Sequence, residues 1–144
     1  MSTIGFDTSN YTTSTAWTDG KTDINVRQIL YVKDGERGIR QSDGVFQHMK
    51  LMPVMYEKLS EQIDFKDVKA VGVSTRPRCV EGSYMPVFLA GEGYAKVVAN
   101  TLGVPLYEFS HQDGHIMAGI YSSGSFELLE NDFISVHLSG GTTE

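Results

Sequence analysis

Thr3-Ile4-Gly5-Phe6-Asp7-Thr8-Ser9 opens the chain as a strand and ends in an acid followed by hydroxyls. Directly after it, Tyr11, Thr13, Thr15 and Trp17 alternate with Thr12, Ser14 and Ala16. That period of two, rich in β-branched and aromatic side chains, predicts a second strand returning antiparallel to the first. Asp19-Gly20 supplies a turn, and Ile24 to Val32 predicts a third strand closed by Lys33-Asp34-Gly35. An antiparallel opening of this kind is compatible with several folds, and the segments after it decide among them.

From Val45 the apolar period lengthens. Val45, Met49, Met52, Tyr56, Leu59 and Ile63 fall at steps of three and four, the stripe of an amphipathic helix with Ser42 or Asp43 in capping position. Pro53 lies inside that stripe, so the helix either kinks there or a second helix opens at the proline. Val68 to Ser74 reads as a buried parallel strand, broken by Arg76-Pro77-Arg78. Pro86 suits the first turn of a helix running to about Leu102, with Phe88, Ala95, Val98 and Leu102 facing inward and Gly91 allowing close approach. Gly103 to Tyr107 predicts a short strand after a glycine stop. Ser110 with Asp113 forms a capping box at the start of a helix holding His111 and His115, and Phe133 to Leu138 is a last strand. An antiparallel meander followed by helix, strand, helix, strand and helix means an α/β fold: a mixed sheet with crossover helices.

Composition narrows the function. A chain of 144 residues is long enough for one domain with a core and short for two. A formal charge of −6 excludes the broad basic surface that nucleic-acid binders use. The single cysteine, Cys79, excludes an internal disulfide and fits a reducing, cytoplasmic compartment. No apolar run approaches the roughly 18 residues of a membrane span, and no basic segment leads into one at the N-terminus.

Four clusters can carry chemistry. Asp7-Thr8-Ser9 at a strand end can place an acid, a hydroxyl and backbone amides around a ligand, or simply cap a turn. Arg76 and Arg78 follow a buried strand at the end where α/β folds bind ligands. His111 and His115, four apart, share one helix face and can both reach one ion, although two ligands do not complete a site. The intervening Gln112 and Asp113 lack the general-base glutamate of His-Glu-x-x-His peptidases, which makes a metallopeptidase the weakest reading. Ser139-Gly140-Gly141-Thr142-Thr143 can turn backbone amides toward an oxygen ligand. His137, just before it, either serves the same cleft or alternates into a sheet face.

Taken in order, the Gly5-Phe6-Asp7-Thr8-Ser9 strand, the Pro-containing helix, the Pro77 loop leading to Gly82-Ser83, the His111/His115 helix and the Ser139-Gly140-Gly141-Thr142-Thr143 turn resemble the N-terminal half of the glycoprotease-like family. Its members are tRNA threonylcarbamoyladenosine transferases. The resemblance implies an actin-like, ribonuclease H-like lobe over residues 1–144, truncated before a second lobe. It implies a divalent metal (Fe or Zn) on His111 and His115, completed by an aspartate from the missing lobe. It further implies ATP or threonylcarbamoyl-adenylate near Asp7, Ser9, Ser139, Gly140, Gly141 and Thr142, and transfer of the threonylcarbamoyl group to N6 of a tRNA adenosine. In that role the ion holds and polarises the adenylate.

This sequence departs from the family pattern in three places. Arg76-Pro77-Arg78 replaces Gly-Pro-Gly, Gly44-Val45-Phe46-Gln47-His48 replaces a longer Gly-Gly-x-x-Pro-Glu loop with its Ser-Arg-x-His, and Thr142 stands where His or Asn is usual. These point to a divergent member. Two expectations follow: part of a threonylcarbamoyltransferase-like enzyme whose tRNA contacts come from a missing lobe or a partner, or a non-catalytic paralogue that dimerises with itself or supports an active homologue.

Overall fold

Ile4 and Phe6 point to one side of strand β1 (Ser2–Asp7) and are almost fully buried, while Thr3, Gly5 and Asp7 alternate to the other. A computed structural model describes residues 1–9, 11–36 and 38–138 and places β1 at the centre of a five-stranded sheet. β2 (Thr12–Thr18) pairs with it antiparallel, Ile4 opposite Trp17. β3 (Asp23–Ile29) continues the meander, Thr15 opposite Val26. On the other side β4 (Val68–Arg76) runs parallel to β1, Phe6 beside Val73, and β5 (Leu106–Ser110) runs parallel to β4. The order β3-β2-β1-β4-β5 is the mixed sheet expected from the sequence, an actin-like, ribonuclease H-like arrangement.

Parallel neighbours need crossovers, and helices α1 (Gln41–Ser60) and α2 (Phe88–Leu102) supply them. Both cover the sheet face carrying Ile4 and Phe6, and the core lies there: Ile4, Phe6, Val71 and Val73 from the strands against Met52, Leu59, Ala95 and Ala99 from the helices. Gly91, Ala95 and Ala99 recur every fourth residue, so α2 presents a small-residue face and lies close to the sheet. A Cβ on Gly91 would stand 2.8 Å from Thr8 Oγ1. That hydroxyl accepts from Gly91 N–H at 3.0 Å and donates to Val87 O at 2.8 Å, fixing the end of β1 to the start of α2. Helix α3 (His111–Ser123) starts at the end of β5 and reaches across to β3, where Tyr121 Oη donates to Asp23 Oδ1 at 3.2 Å. Gly124, with φ 71°, ends it.

Several boundaries differ from expectation. α1 begins at Gln41, and its buried stripe is Gly44, His48, Met52, Met55 and Leu59. This is the predicted stripe turned by about one residue, so His48 goes inside and Met49 outside. Two tertiary contacts set that rotation. Gly44 packs where a Cβ would meet Val87 Cγ1 at 2.8 Å, and His48 Nδ1 hydrogen-bonds Thr13 Oγ1 at 2.7 Å. Pro53 does not start a second helix: it lies exposed within one helix assigned without a break from Gln41 to Ser60. Neither Ser42 nor Asp43 caps α1; the N-cap is Arg40, with no side-chain hydrogen bond. β5 sits later than predicted, and β3 stops at Ile29. The next residue, Leu30, is buried and bonds Tyr11 O. Phe133–Leu138 forms no strand apart from a single bridge at Leu138.

Candidate functional site

The capping box of α3 builds the site. Ser110, fully buried at the end of β5, accepts from Asp113 N–H through its hydroxyl at 3.1 Å, and Asp113 Oδ2 accepts from Ser110 N–H at 2.8 Å. This fixes the first turn beside the C-terminal end of β1, because β1, β4 and β5 are consecutive in the sheet. Gln112 N–H donates to Pro77 O at 3.1 Å and ties the loop after β4 to the same turn. His111 then faces Asp7.

Asp7 is the electrostatic centre. Its Oδ1 accepts from Ser9 N–H at 2.8 Å, and its Oδ2 accepts from His111 Nδ1 at 2.9 Å. Burial alone would push the Asp7 carboxyl up. The hydrogen bond and charge of His111, with hydrogen bonds from Ser74 and Ser9, outweigh it and hold the pKa at about 2. Ser74 opens the sequence cluster that holds Arg76 and Arg78, but its pairing with Asp7 is not legible there. It reaches Asp7 because β1 and β4 are parallel and in register, a relation no local signal carries.

Beyond Asp7 the rings stand in a row. Phe88 lies 6.3 Å from His111 between centroids, His111 meets His115 edge-on at 4.3 Å, and His115 lies 4.9 Å from His137. Burial lowers the His115 pKa, and His111 and His137 lower it further against a smaller opposing pull from Asp7. The sequence-predicted residues Asp7, Ser9, His111 and His115 therefore do come together, and His137 joins them. Arg76, the last residue of β4, turns Nη1 back to its neighbour Thr75 Oγ1 at 3.1 Å. Ser139, Gly140, Gly141 and Thr142 lie outside the described residues. A recess lined by Tyr31, Lys33, Glu36, Arg40, Asp43 and Gln47 opens at the start of α1 and includes none of these residues.

The donor set does not fit the expected ion. Asp7 accepts from Ser9 N–H and from His111 Nδ1, which leaves Nε2 as the ring nitrogen of His111 open to an ion, and the His115 and His137 rings follow it in a row. Among the described residues, no group of three or more His, Cys, Asp or Glu is arranged to hold a metal. This overturns the expectation of Fe or Zn on His111 and His115. ATP or threonylcarbamoyl-adenylate falls with it as a cofactor, since the ion was to hold and polarise the adenylate. The expectation that the chain is part of a working threonylcarbamoyltransferase is corrected on the same ground.

No family model matches the sequence. The chain is 32% identical over 95 residues to the tRNA N6-adenosine threonylcarbamoyltransferase of Christiangramia forsetii, covering 65% of this chain and 26% of that protein. It is 29% identical over 142 residues to that of Pyrobaculum calidifontis, covering 97% and 39%. It is 37% identical over 98 residues to that of Moorella thermoacetica, covering 67% and 26%. The chain thus spans between 26% and 39% of the length of these relatives. In fold it is similar to YeaZ from Pseudomonas aeruginosa, with a TM-score of 0.54 at 16% identity over 76% of this chain and 43% of that one. A second structure, an uncharacterized protein with similarity to peptidase YEAZ from Pseudomonas aeruginosa, gives a TM-score of 0.55 at 14% identity. Sequence motifs, relatives and sheet order agree, and the chain belongs to the glycoprotease-like family of the tRNA N6-adenosine threonylcarbamoyltransferases as a divergent member of its N-terminal lobe.

Proposed function

We propose that this chain is a non-catalytic member of the family, working as a dimerising or scaffolding partner of an active homologue. The supporting observation is the closed Asp7–His111 pair. The acid and first histidine that would otherwise face a ligand satisfy each other at 2.9 Å, and the next imidazoles pack along the row. The Asp7 carboxylate and Nδ1 of His111 are spent on holding α3 to the sheet, and among the described residues no group of three metal-ligating side chains gathers beside them.

In this reading the 144 residues act as one lobe in the cytoplasm, and the homologue supplies the nucleotide and tRNA contacts. The net charge of −6 agrees with leaving tRNA to the partner. No helix among the described residues is long and apolar enough to cross a membrane. The test is to mix the purified chain with a threonylcarbamoyltransferase from the same organism and follow both co-elution and the rate of tRNA modification. The expected result is a stable complex with an altered rate, and no modification by the chain alone. Turnover by the chain alone, or separate elution, would sink the reading.

A further inference from the structure

Helix α1 is anchored unevenly along its length. From Met52 onward it buries Met52, Met55 and Leu59, and Tyr56 stacks on Phe6 with ring centroids 5.8 Å apart. Before Met52 only Gly44 and His48 are buried. Glycine brings no side chain to the core, and the Nε2 of His48 has no hydrogen-bond partner among the described residues. Phe46 and Met49, in the same half, are exposed. A segment that buries so little apolar surface has low local stability.

Hydrogen bonds hold that half instead. The Gln47 side chain accepts from Tyr31 N–H at 2.8 Å and donates to Tyr31 O at 2.9 Å, and Gln41 Oε1 accepts from Val87 N–H at 3.4 Å. A further bond is made at the proline. Pro53 has no N–H to give to Met49 O, one helical turn earlier, and its ring crowds that carbonyl. The missing donor is replaced from the neighbouring helix: Tyr94 Oη of α2 donates to Met49 O at 2.9 Å. The proline frees the carbonyl, and the tyrosine takes it up.

We propose that the first half of α1, residues 41–51, is a hinged arm that opens at Pro53 and is latched shut by the hydroxyl of Tyr94. Opening pivots on the turn that lacks a hydrogen bond, while Met52, Met55 and Leu59 keep the second half on the sheet. The arm covers Leu30, Thr13 and Val87, because Gly44 packs on Leu30 and Val87 and His48 bonds Thr13. Val87 O is the acceptor of the Thr8 hydroxyl, so the arm closes over the contact that fixes the end of β1 next to Asp7. The inference stands apart from the scaffolding role: it concerns the motion of α1 on its own sheet and requires no partner.

The test is hydrogen–deuterium exchange on the full chain, comparing residues 45–51 with residues 57–60 and with β4, in water and in urea below the unfolding transition. In the parent, residues 45–51 are expected to exchange about tenfold or more faster than the other two, with little dependence on urea, as local opening exposes little surface. Tyr94→Phe removes one hydroxyl and should speed residues 45–51 by about three- to tenfold, the loss of one hydrogen bond. Pro53→Ala in the Tyr94→Phe background gives Met49 O a donor from within α1 and should return residues 45–51 to the parent rate or slower. Equal protection of all three regions in the parent would overturn the arm, since the lobe would then open as a whole. An unchanged rate in Tyr94→Phe would overturn the latch. A double variant as fast as Tyr94→Phe alone would overturn the hinge at Pro53.

Discussion

His48 shows at the scale of one residue how a polar group becomes part of a core. It is fully buried, its Nδ1 bonds Thr13 Oγ1, and its Nε2 has no partner among the described residues. Burial pushes its pKa from 6.5 to about 4, against a smaller opposing pull from Asp7. Since the folded value lies below the unfolded one, this group's contribution to stability is complete above pH 6.5 and is lost as the pH falls towards 4. The shift corresponds to about 3 kcal/mol. Thermal unfolding followed from pH 7 to 4 should show that loss, and His48→Gln should flatten it. A parent protein whose Tm is level across the window would show that His48 does not titrate there. Asp7 behaves alike at lower pH: its depressed pKa stabilises the fold above about 4 and ceases to as the pH falls to about 2.

At the scale of elements, α1 and α3 make opposite use of their first turns. α3 is held by a complete capping box, and Ser110→Ala removes one half of it from a buried position. The expected cost is about 1 kcal/mol, read from the urea midpoint. α1 begins without a side-chain cap and carries Pro53 in its interior, where the missing N–H and the ring strain the backbone. Pro53 is exposed and contributes nothing to the core, so Pro53→Ala should raise stability by ~1–3 kcal/mol. An unchanged urea midpoint would mean that the helix adapts to the proline at no cost. The existence and order of these helices were evident from apolar spacing and from Ser110 and Asp113. The phase of the α1 stripe was not, because one residue turns a helix by only about 100° and Val45, Met49 and Tyr56 are apolar enough to be read as the inner face.

For the whole molecule, folding closes the cluster at the end of the sheet on itself. Asp7 comes from residue 7, Ser74 from the parallel neighbour strand, His111 from the helix after β5, and His137 from the segment after α3. If that closure is the native arrangement, no metal contributes to stability. Treatment with EDTA should then leave the Tm of the purified chain unchanged, and metal analysis should find no equivalent of Fe or Zn. A chelator-induced drop of several degrees would restore the metal reading for His111 and His115.

The sequence by itself determined what depends on neighbours along the chain: the meander of β1 to β3, the crossover helices, the α3 cap and the motif order that carries the family. These follow from period, turn chemistry and capping, all of which act within a few residues. Only the tertiary structure decided which polar groups satisfy one another. His111 and His115 share a helix face in any α3, but whether they stand open to a ligand depends on Asp7, 104 residues away along the chain. Parallel pairing of β1 with β4, and of β4 with β5, brings that carboxylate under the first turn of α3, where His111 takes it up. Spacing fixes what a helix can present; the packing of distant strands fixes what is left to bind.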